Sequence, residues 1–275
     1  MSLMPSRRRF MAGALGSAAA GLSALPARGA EQKIPHPVDV TSKEGALKQL
    51  IRVLGHEGGG DVLYWFHGSI YAVAPGQRPF PMVHFNGINA MRFTQQDDGS
   101  YFSRHHSISY MEDRERHELL RDWTNPLTGK VVTPEPNVFK GSVYDYSVKG
   151  TKMRAGTWDT AVPLDPGMWT FGKKLAWITI DRPYAARFGY PWSEARTYEV
   201  QLEDLVNPAK KSLLGKQHST VTNPFPRWMG MKDQPGFALW QANGQKLANA
   251  GELPTHLLER CRTYMPELFD YDVFG

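Results

Sequence analysis

The sequence has almost no cysteine, since Cys261 is the only one in 275 residues. A single thiol cannot form an internal disulfide, so we expect a fold that does not depend on oxidation. It also excludes metal sites built from several cysteines. Cys261 lies in a helical-looking stretch near the end of the chain, and we interpret it as a small, half-buried residue rather than a nucleophile.

The common motifs of nucleotide, flavin, serine-hydrolase and metal chemistry are also missing. There is no Gly-x-Ser-x-Gly, and the glycines at 58–60 lack the preceding strand and the lysine of a phosphate loop. His105 and His106 are adjacent, so on a strand they would point to opposite faces. No His-x-His, His-Glu-x-x-His or paired acidic motif occurs. The sequence therefore predicts neither a metal site nor a cofactor.

Basic charge is concentrated at the N-terminus. The full chain has a formal net charge of +5, but residues 1–30 contain four arginines and no acidic residue, so the remainder carries +1. Recognition of nucleic acid needs a clustered basic surface on the folded domain, and no comparable cluster occurs later. The charge pattern therefore argues against a nucleic-acid partner.

The first thirty residues have the three parts of an export signal. Arg7, Arg8 and Arg9 precede an uncharged, mostly small and apolar run at 11–26, and small residues occur at 27, 29 and 30. The arginine pair favours the twin-arginine route. The run is shorter than the roughly 20 residues of a spanning helix, so we expect cleavage and no stable membrane anchor. The working protein is predicted to be a soluble periplasmic domain of residues 31–275.

Helices are predicted only near the two ends of this domain. Thr41 and Glu44 have the spacing of a capping box, apolar residues follow at helical spacing, and Gly55 ends the pattern. A second helix is predicted to begin at Pro254 and to end before Pro266.

The segment between the two helices is typical of short strands joined by tight turns. Aromatic and β-branched residues are frequent in a series of short stretches, at 62–73, 83–93, 101–111, 118–123, 142–148, 175–180, 197–202 and 217–222. Turn-forming residues separate several of them, and at 125–129 we expect a tight turn with Gly129 at positive φ.

About eight strands in one sheet must bury one face, and curling the sheet protects its edges. The sequence therefore predicts a mainly β fold: an antiparallel β-barrel or a strongly curled, lipocalin-like sheet with short flanking helices. An open sandwich of two sheets is the alternative. No linker or repeat divides residues 31–275, so we expect one domain.

The hairpin formed by residues 83–110 gives the clearest prediction of an interior surface. The alternation at 83–93 places Asn89 on a nearly apolar face, which should point inward. If Gln96 pairs with Tyr101, then Arg104, His106 and Tyr110 share that face. A shift by one residue would instead bury a mostly polar set, Tyr101, Ser103, His105, Ser107 and Ser109, and is disfavoured.

A buried arginine and histidine need partners or a ligand, because lone buried charges are costly. We therefore expect either a ligand pocket or an internal polar network at Asn89, Arg104, His106 and Tyr110. In a catalytic pocket His106 or Tyr110 would be the base and Arg104 the partner of an anion. His67, on a neighbouring strand, is a weaker candidate for ligand binding.

Several segments resemble the bacterial DUF1838 family, a domain family of unknown function. The run Trp123–Val131, of the form Trp-x-Asn-Pro-x-Thr-Gly, is the most specific, and segments at 64–71, 191–194 and 205–208 are similar too. The resemblance covers most of residues 31–275 and implies one domain and, for many members, a twin-arginine signal. It adds Trp123, Asn125 and Asn137 to the candidate ligand-binding residues.

Two functions from different classes remain open. The first is binding of a small apolar or aromatic ligand, because the strands carry many aromatic residues and few polar groups. The alternative is a cofactor-independent lyase, isomerase or dehydratase acting on an aromatic compound. A purely structural role in an exported complex is a weaker third possibility.

Overall fold

The computed structural model describes residues 38–113, 115–154, 161–184 and 192–274. The predicted export signal lies outside these ranges. Residues 37–275 cluster as one compact unit. No helix in the ranges given is long and apolar enough to cross a bilayer.

The regular elements are three α-helices and thirteen strands in the part of the chain just defined. The helices are α1 (Lys43–Leu54), α2 (Leu202–Val206) and α3 (Thr255–Tyr264). The strands are β1 (Gly60–Val73), β2 (Phe80–Gln95), β3 (Tyr101–Glu112), β4 (Trp123–Thr124), β5 (Val131–Val132), β6 (Asn137–Ser147), β7 (Gly150–Met153), β8 (Ala161–Val162), β9 (Trp169–Phe171), β10 (Leu175–Tyr184), β11 (Trp192–Gln201), β12 (Gly215–Asn223) and β13 (Phe237–Leu247). Short 3-10 helices occur at Pro166–Met168, Arg227–Met229, Ala250–Glu252, Pro266–Asp270 and Asp272–Phe274.

Eleven strands form one antiparallel sheet in the order β8-β7-β6-β3-β2-β1-β13-β12-β11-β10-β9, and β4 pairs only with β5. The first and last long strands, β1 and β13, pair at its centre. From this pair an N-terminal arm (β1, β2, β3, β6, β7, β8) and a C-terminal arm (β13, β12, β11, β10, β9) extend to either side. The prediction of a strongly curled antiparallel sheet is confirmed, and the alternative of two packed sheets is wrong.

Helix α1 packs inside the curl at one end of the sheet. Leu50 and Ile51 are fully buried and belong to one apolar cluster with side chains of both arms, such as Phe93 and Ile178. Arg52 is also buried and donates hydrogen bonds to the carbonyl oxygens of residues 204, 205, 207 and 210. Apolar burial and these bonds together close this end of the sheet.

The start of α1 differs by one residue from the prediction. Ser42, not Thr41, is the N-cap, and its hydroxyl accepts a hydrogen bond from the Gly45 amide at 3.0 Å. The Asp39 carboxylate accepts hydrogen bonds from the Thr41 and Ser42 amides, so both residues precede the helix and its first turn begins after Ser42. The predicted end at Gly55 is confirmed.

The C-terminal segment covers the convex face of the N-terminal arm. Leu257 and Cys261 of α3, with Leu268 beyond it, are fully buried against Ile88 and Ile108. Cys261 was predicted to be half-buried, whereas it is fully buried because α3 packs against the sheet. Both faces of the N-terminal arm are covered, one by this segment and the other by the curl of the sheet.

The predicted register of the β2–β3 hairpin is wrong by one residue. Gln95, not Gln96, pairs with Tyr101, and Asn89 lies opposite Ser107. The Gln96 amide donates a hydrogen bond to the Ser100 carbonyl at 2.8 Å, so the loop has three residues, 97–99. It ends with Gly99 at φ 78°, a common geometry for a three-residue hairpin. The disfavoured polar set of β3 therefore faces the concave side, where His105, Ser107 and Ser109 border a cavity and Tyr101 packs in the apolar cluster that contains α1.

Candidate functional site

The concave face of the sheet holds a cavity of about 260 Å³. Both arms contribute to its wall, so the curl of the sheet creates the space. The lining residues are Phe66, Phe85, Asn89, His105, Ser107, Ser109, Asn137, Phe139, Ser142, Tyr144, Met153, Glu194, Arg196, Gln217, Ser219, Val221, Asn223, Trp240 and Ala242.

Aromatic rings form much of the apolar wall. The Phe85 ring lies 6.2 Å from Phe66 and 5.2 Å from Trp240, measured between centroids. Phe139 lines the cavity from β6 and is 50% exposed, which places it at the rim. A flat apolar molecule could therefore pack against rings inside the cavity and at its opening.

A β-bulge on β6 brings extra side chains to this wall. The pairing of β3 with β6 shifts between His105 and His106, and Gly141 has φ 69° at this point. The additional residue reverses the alternation, so that Phe139 and Ser142 both face the cavity. Glycine fits this position because other residues rarely adopt positive φ.

Three charged side chains are grouped on the C-terminal arm. Arg196 Nε contacts one carboxylate oxygen of Glu194, and Arg182 Nη1 lies 3.7 Å from the other. Arg182 and Glu194 are 8% and 6% exposed. Arg196 and Glu194 line the cavity, whereas Arg182 lies behind them over the Tyr144 ring. One negative charge is therefore shared by two positive charges.

His105 occupies the opposite wall, on β3. Its ring packs against the Tyr144 ring at a centroid distance of 4.3 Å and a tilt of 32°, and its Nε2 is 2.6 Å from the Ser103 hydroxyl. Burial, together with the positive charges of Arg196 and Arg182, lowers the pKa of His105 well below its usual value. The imidazole is therefore neutral at pH 7.

Asn89 lies on the same wall, on β2. Its side-chain oxygen is buried and makes no hydrogen bond to any residue within the described ranges. Buried polar atoms are normally paired, because an unpaired acceptor costs about 1–3 kcal/mol. This oxygen is therefore available to a donor group placed in the cavity.

The sequence profile of one family, described as "Protein of unknown function (DUF1838)", matches residues 59–272. The chain belongs to the DUF1838 family. A search of curated proteins finds no match. The family match leaves out helix α1 but covers the whole sheet, and so it includes every residue that lines the cavity.

The most specific DUF1838-like segment has a structural role here. Asn125 is fully buried, donates to the Met229 carbonyl at 2.8 Å and accepts the Leu127 amide at 2.8 Å. Gly129 has φ 69°, as predicted. Trp123 packs its ring against Trp228, 5.8 Å away. Trp123 and Asn125 therefore hold a turn against residues 227–229 and do not line the concave cavity.

A second DUF1838-like segment, at 205–208, has a similar role. The carbonyl oxygens of Leu205 and Asn207 accept hydrogen bonds from Arg52 at 2.8 and 2.5 Å. These bonds join the segment to α1, which closes one end of the curl. The segment thus shapes the DUF1838 fold around the cavity without facing it.

Of the residues predicted from the sequence, the structure brings Asn89 and Asn137 to the cavity. Arg104, His106 and Tyr110 lie on the opposite, convex face of β3, because the hairpin register differs by one residue. His67 is exposed on β1, with its ring 6.0 Å from that of His84. The predicted polar set therefore does not form a single site.

The three convex-face residues have separate surroundings. Arg104 is exposed, and His106 Nδ1 is 2.7 Å from the Tyr271 hydroxyl. Tyr110 is fully buried beneath α3, and burial raises its pKa well above the usual value. Burial likewise lowers the pKa of His106. His106 and Tyr110 thus take part in packing of the C-terminal segment onto the sheet.

The sequence prediction missed the charged group of Arg182, Glu194 and Arg196. The strand predicted at 175–180 ended too early, since β10 extends to Tyr184. The strand predicted at 197–202 began too late, since β11 begins at Trp192. The signal was present: Glu194 and Arg196 continue the two-residue alternation of the buried residues of β11. Charged residues in this pattern indicate a strand that borders a polar cavity.

Among the residues that the structure describes, no group of three or more His, Cys, Asp or Glu side chains is placed to hold a metal ion. The cavity wall contributes hydrogen-bonding groups, one neutral imidazole and one arginine–glutamate pair. Such a wall can orient a small molecule, and its aromatic part can bury an apolar body.

Proposed function

We propose that this DUF1838 protein binds a small apolar or aromatic ligand in the cavity on the concave face of the sheet. The observation that carries the proposal is the cavity itself, about 260 Å³ between the two arms with Phe66, Phe85 and Trp240 in its wall. Sites for small molecules are concave and largely apolar, with a few polar groups that orient the ligand.

The unpaired oxygen of Asn89 supports binding rather than a filled core. A core network would satisfy its own buried acceptors, because leaving one unpaired lowers stability. Ser107, Ser109 and Ser219 also face the cavity, so several small side chains leave room between the arms. The cavity is thus large enough for a small molecule and offers it both aromatic surface and polar groups.

The test uses two fluorescent probes with the same skeleton, neutral N-phenyl-1-naphthylamine and anionic 8-anilino-1-naphthalenesulfonate. Ser219→Phe should fill the cavity, whereas Thr220→Phe adds the same ring to an exposed position on the next residue of β12. We expect at least one probe to bind the wild type and Thr220→Phe with one site per chain. Binding should be lost in Ser219→Phe.

Two results would overturn the proposal. One is that neither probe binds the folded wild-type protein at a single site. The other is that Ser219→Phe binds the probe as tightly as the wild type while unfolding at a similar temperature. The second result would place the binding surface outside the cavity.

The second candidate is a cofactor-independent lyase or isomerase, and the observation that favours it is His105. A neutral imidazole in the cavity can accept a proton, and Arg196 on the facing wall can stabilise the resulting anion. Exchange of the methylene protons of phenylpyruvate in D2O would reveal such proton transfer. Exchange no faster than without protein, or unchanged in His105→Gln, would argue against this function.

We also propose that residues 1–30 direct export by the twin-arginine route and that the domain works in the periplasm. The support is the sequence: paired arginines at 7 and 8 before a short uncharged run. Localisation of the full-length chain in cell fractions tests this proposal independently of ligand binding.

A further inference from the structure

We propose that the ligand is a small carboxylic acid with an aromatic or apolar body, and that Arg196 binds its carboxylate. This inference rests on the proposed function and specifies the chemical class of its ligand. It comes from the charges around the cavity, which are unequal on the two walls.

The charge balance is the first step. Among the described lining residues, Arg196 and Glu194 are the two with a formal charge, and His105 is neutral. Arg182 lies directly behind them, 3.7 Å from the Glu194 carboxylate. Among the residues that the structure describes, two positive charges therefore share one carboxylate, which leaves an excess of one positive charge on this part of the wall. Buried charges are costly without a partner, so the wall favours an anion.

The position of Arg196 is the second step. Its side chain is 26% exposed, compared with 10% for Arg182, and it lines the cavity while Arg182 does not. Its Nε faces Glu194, and a guanidinium has five N–H donors in a rigid fork. Such a fork matches a carboxylate, to which it can donate two parallel hydrogen bonds. Both arginines pair with Glu194, so this one carboxylate cannot neutralise the two guanidinium groups, and the donors of Arg196 that do not face it remain for the ligand.

The apolar part of the wall is the third step. The Phe66, Phe85 and Trp240 rings offer aromatic surface. A molecule with an acidic end and an aromatic body would use both features, and Asn89 could accept a hydrogen bond from a hydroxyl or amine on that body. A fully apolar ligand would leave the positive charge and the Asn89 oxygen without partners.

The test compares 1-naphthoate with 1-naphthamide, which have the same shape and differ in charge. Affinities are measured by calorimetry for the wild type and for three variants. We expect the wild type to bind the naphthoate at least tenfold more tightly than the amide. Arg196→Met should remove this preference, and Glu194→Gln should increase it, because it removes the competing negative charge. Arg104→Met, which removes an exposed arginine from the convex face, should leave it unchanged.

The outcomes separate this inference from the proposed function. Equal affinities, or tighter binding of the amide, would overturn the carboxylate preference while ligand binding in the cavity stands. A preference that survives in Arg196→Met, or in Ser219→Phe, would show that the anion binds elsewhere. Failure of both compounds to bind a wild type that binds a fluorescent probe would overturn the carboxylate inference alone, whereas failure of these compounds and of both probes would overturn both proposals. If Arg196→Met does not fold, the inference is still tested by the ratio of naphthoate to naphthamide affinity in the wild type and by the increase of this ratio that we expect in Glu194→Gln.

Discussion

The Arg182 guanidinium lies over the Tyr144 ring, 5.1 Å from its centroid. The two side chains come from β10 and β6, which belong to opposite arms of the sheet. β6 and β10 are not hydrogen-bonded neighbours in the sheet, so this cation–π contact joins the two arms through side chains. Such a contact is worth about 2 kcal/mol when it is desolvated. The cavity lies beside this contact, so the same residues hold the curl and border the candidate site.

The turn at Asn125–Gly129 offers a test of backbone strain alone. Gly129 has φ 69°, and a Cβ added there would meet no atom within 4 Å. Gly129→Val should therefore destabilise the fold by about 1–2 kcal/mol through the left-handed backbone conformation rather than through a clash. Gly129→Asn should cost less, since asparagine tolerates this conformation. Urea unfolding midpoints measure both, and equal midpoints for valine and wild type would contradict the assignment.

Glu112 and Arg260 form a buried ion pair between β3 and α3. The Glu112 side chain is fully buried, the Arg260 side chain is 16% exposed, and Arg260 Nη1 contacts the carboxylate. Arg260→Met should lower the free energy of unfolding by about 3–5 kcal/mol, because it leaves a buried carboxylate without this partner. Chemical denaturation measures this loss.

The matched control for that pair removes both charges. Glu112→Gln combined with Arg260→Met should recover most of the stability, because no uncompensated charge then remains. Arg104→Met, on the exposed part of β3, should change stability by no more than about 0.5 kcal/mol. A double variant as unstable as Arg260→Met alone would mean that lost packing, not charge, explains the effect.

Lys246 predicts a pH dependence of stability. It donates hydrogen bonds to the Gly55 carbonyl at 2.8 Å and the Ser212 hydroxyl at 3.0 Å, and burial lowers its pKa to about 7. At pH values between about 7 and the 10.5 of a free lysine, Lys246 is protonated in the unfolded chain but has lost this proton in the native protein. Stability from this group should therefore rise with pH above 7, by at most about 1.4 kcal/mol per pH unit.

The measurement compares the wild type with Lys246→Met from pH 6.5 to 9.5. Burial raises the pKa of Cys261 to about 12. As the pH rises, this thiol therefore loses its proton in the unfolded chain before it does so in the native protein, which lowers stability at the upper end of this range. Cys261 is present in both proteins, so the difference between their unfolding free energies isolates Lys246. A difference that does not change with pH would show that Lys246 keeps the same charge throughout.

Export depends on the arginine pair at positions 7 and 8 if the signal is of the twin-arginine type. Replacing Arg7 and Arg8 with lysine should leave uncleaved precursor in the cytoplasm, while a single lysine at Arg9 should have little effect. Immunoblots of periplasmic and cytoplasmic fractions measure this. Normal periplasmic accumulation of the double variant would exclude this route.

The local sequence was a good guide where short-range geometry decides the structure. Gly129 adopts the predicted positive φ, and α1 ends at Gly55 as predicted. The two-residue alternation of β2 correctly predicted that Asn89 faces the concave side. These features depend on neighbours along the chain or on a single strand.

The β2–β3 register could not be obtained in the same way. The prediction assumed that one face of the hairpin is apolar core and the other is solvent, whereas the C-terminal segment covers the convex face and a cavity borders the concave one. A three-residue loop then places Ser103 and His105 inside and Arg104 and His106 outside. A shift of one residue reverses every side chain, so a small error in loop length moved three candidate residues away from the site.

The sequence by itself determined the class of fold, the positions of α1 and α3, the turn at Gly129 and membership of the family, because propensity, alternation and turn chemistry act over a few residues. Only the tertiary structure decided which polar residues meet. Glu194 and Arg196 face His105 and Asn89 because β1 and β13, the first and last long strands in sequence, pair at the centre of the sheet and the arms curl toward each other. Such contacts join residues far apart in the chain, and their geometry depends on the twist and curl of all the strands between them.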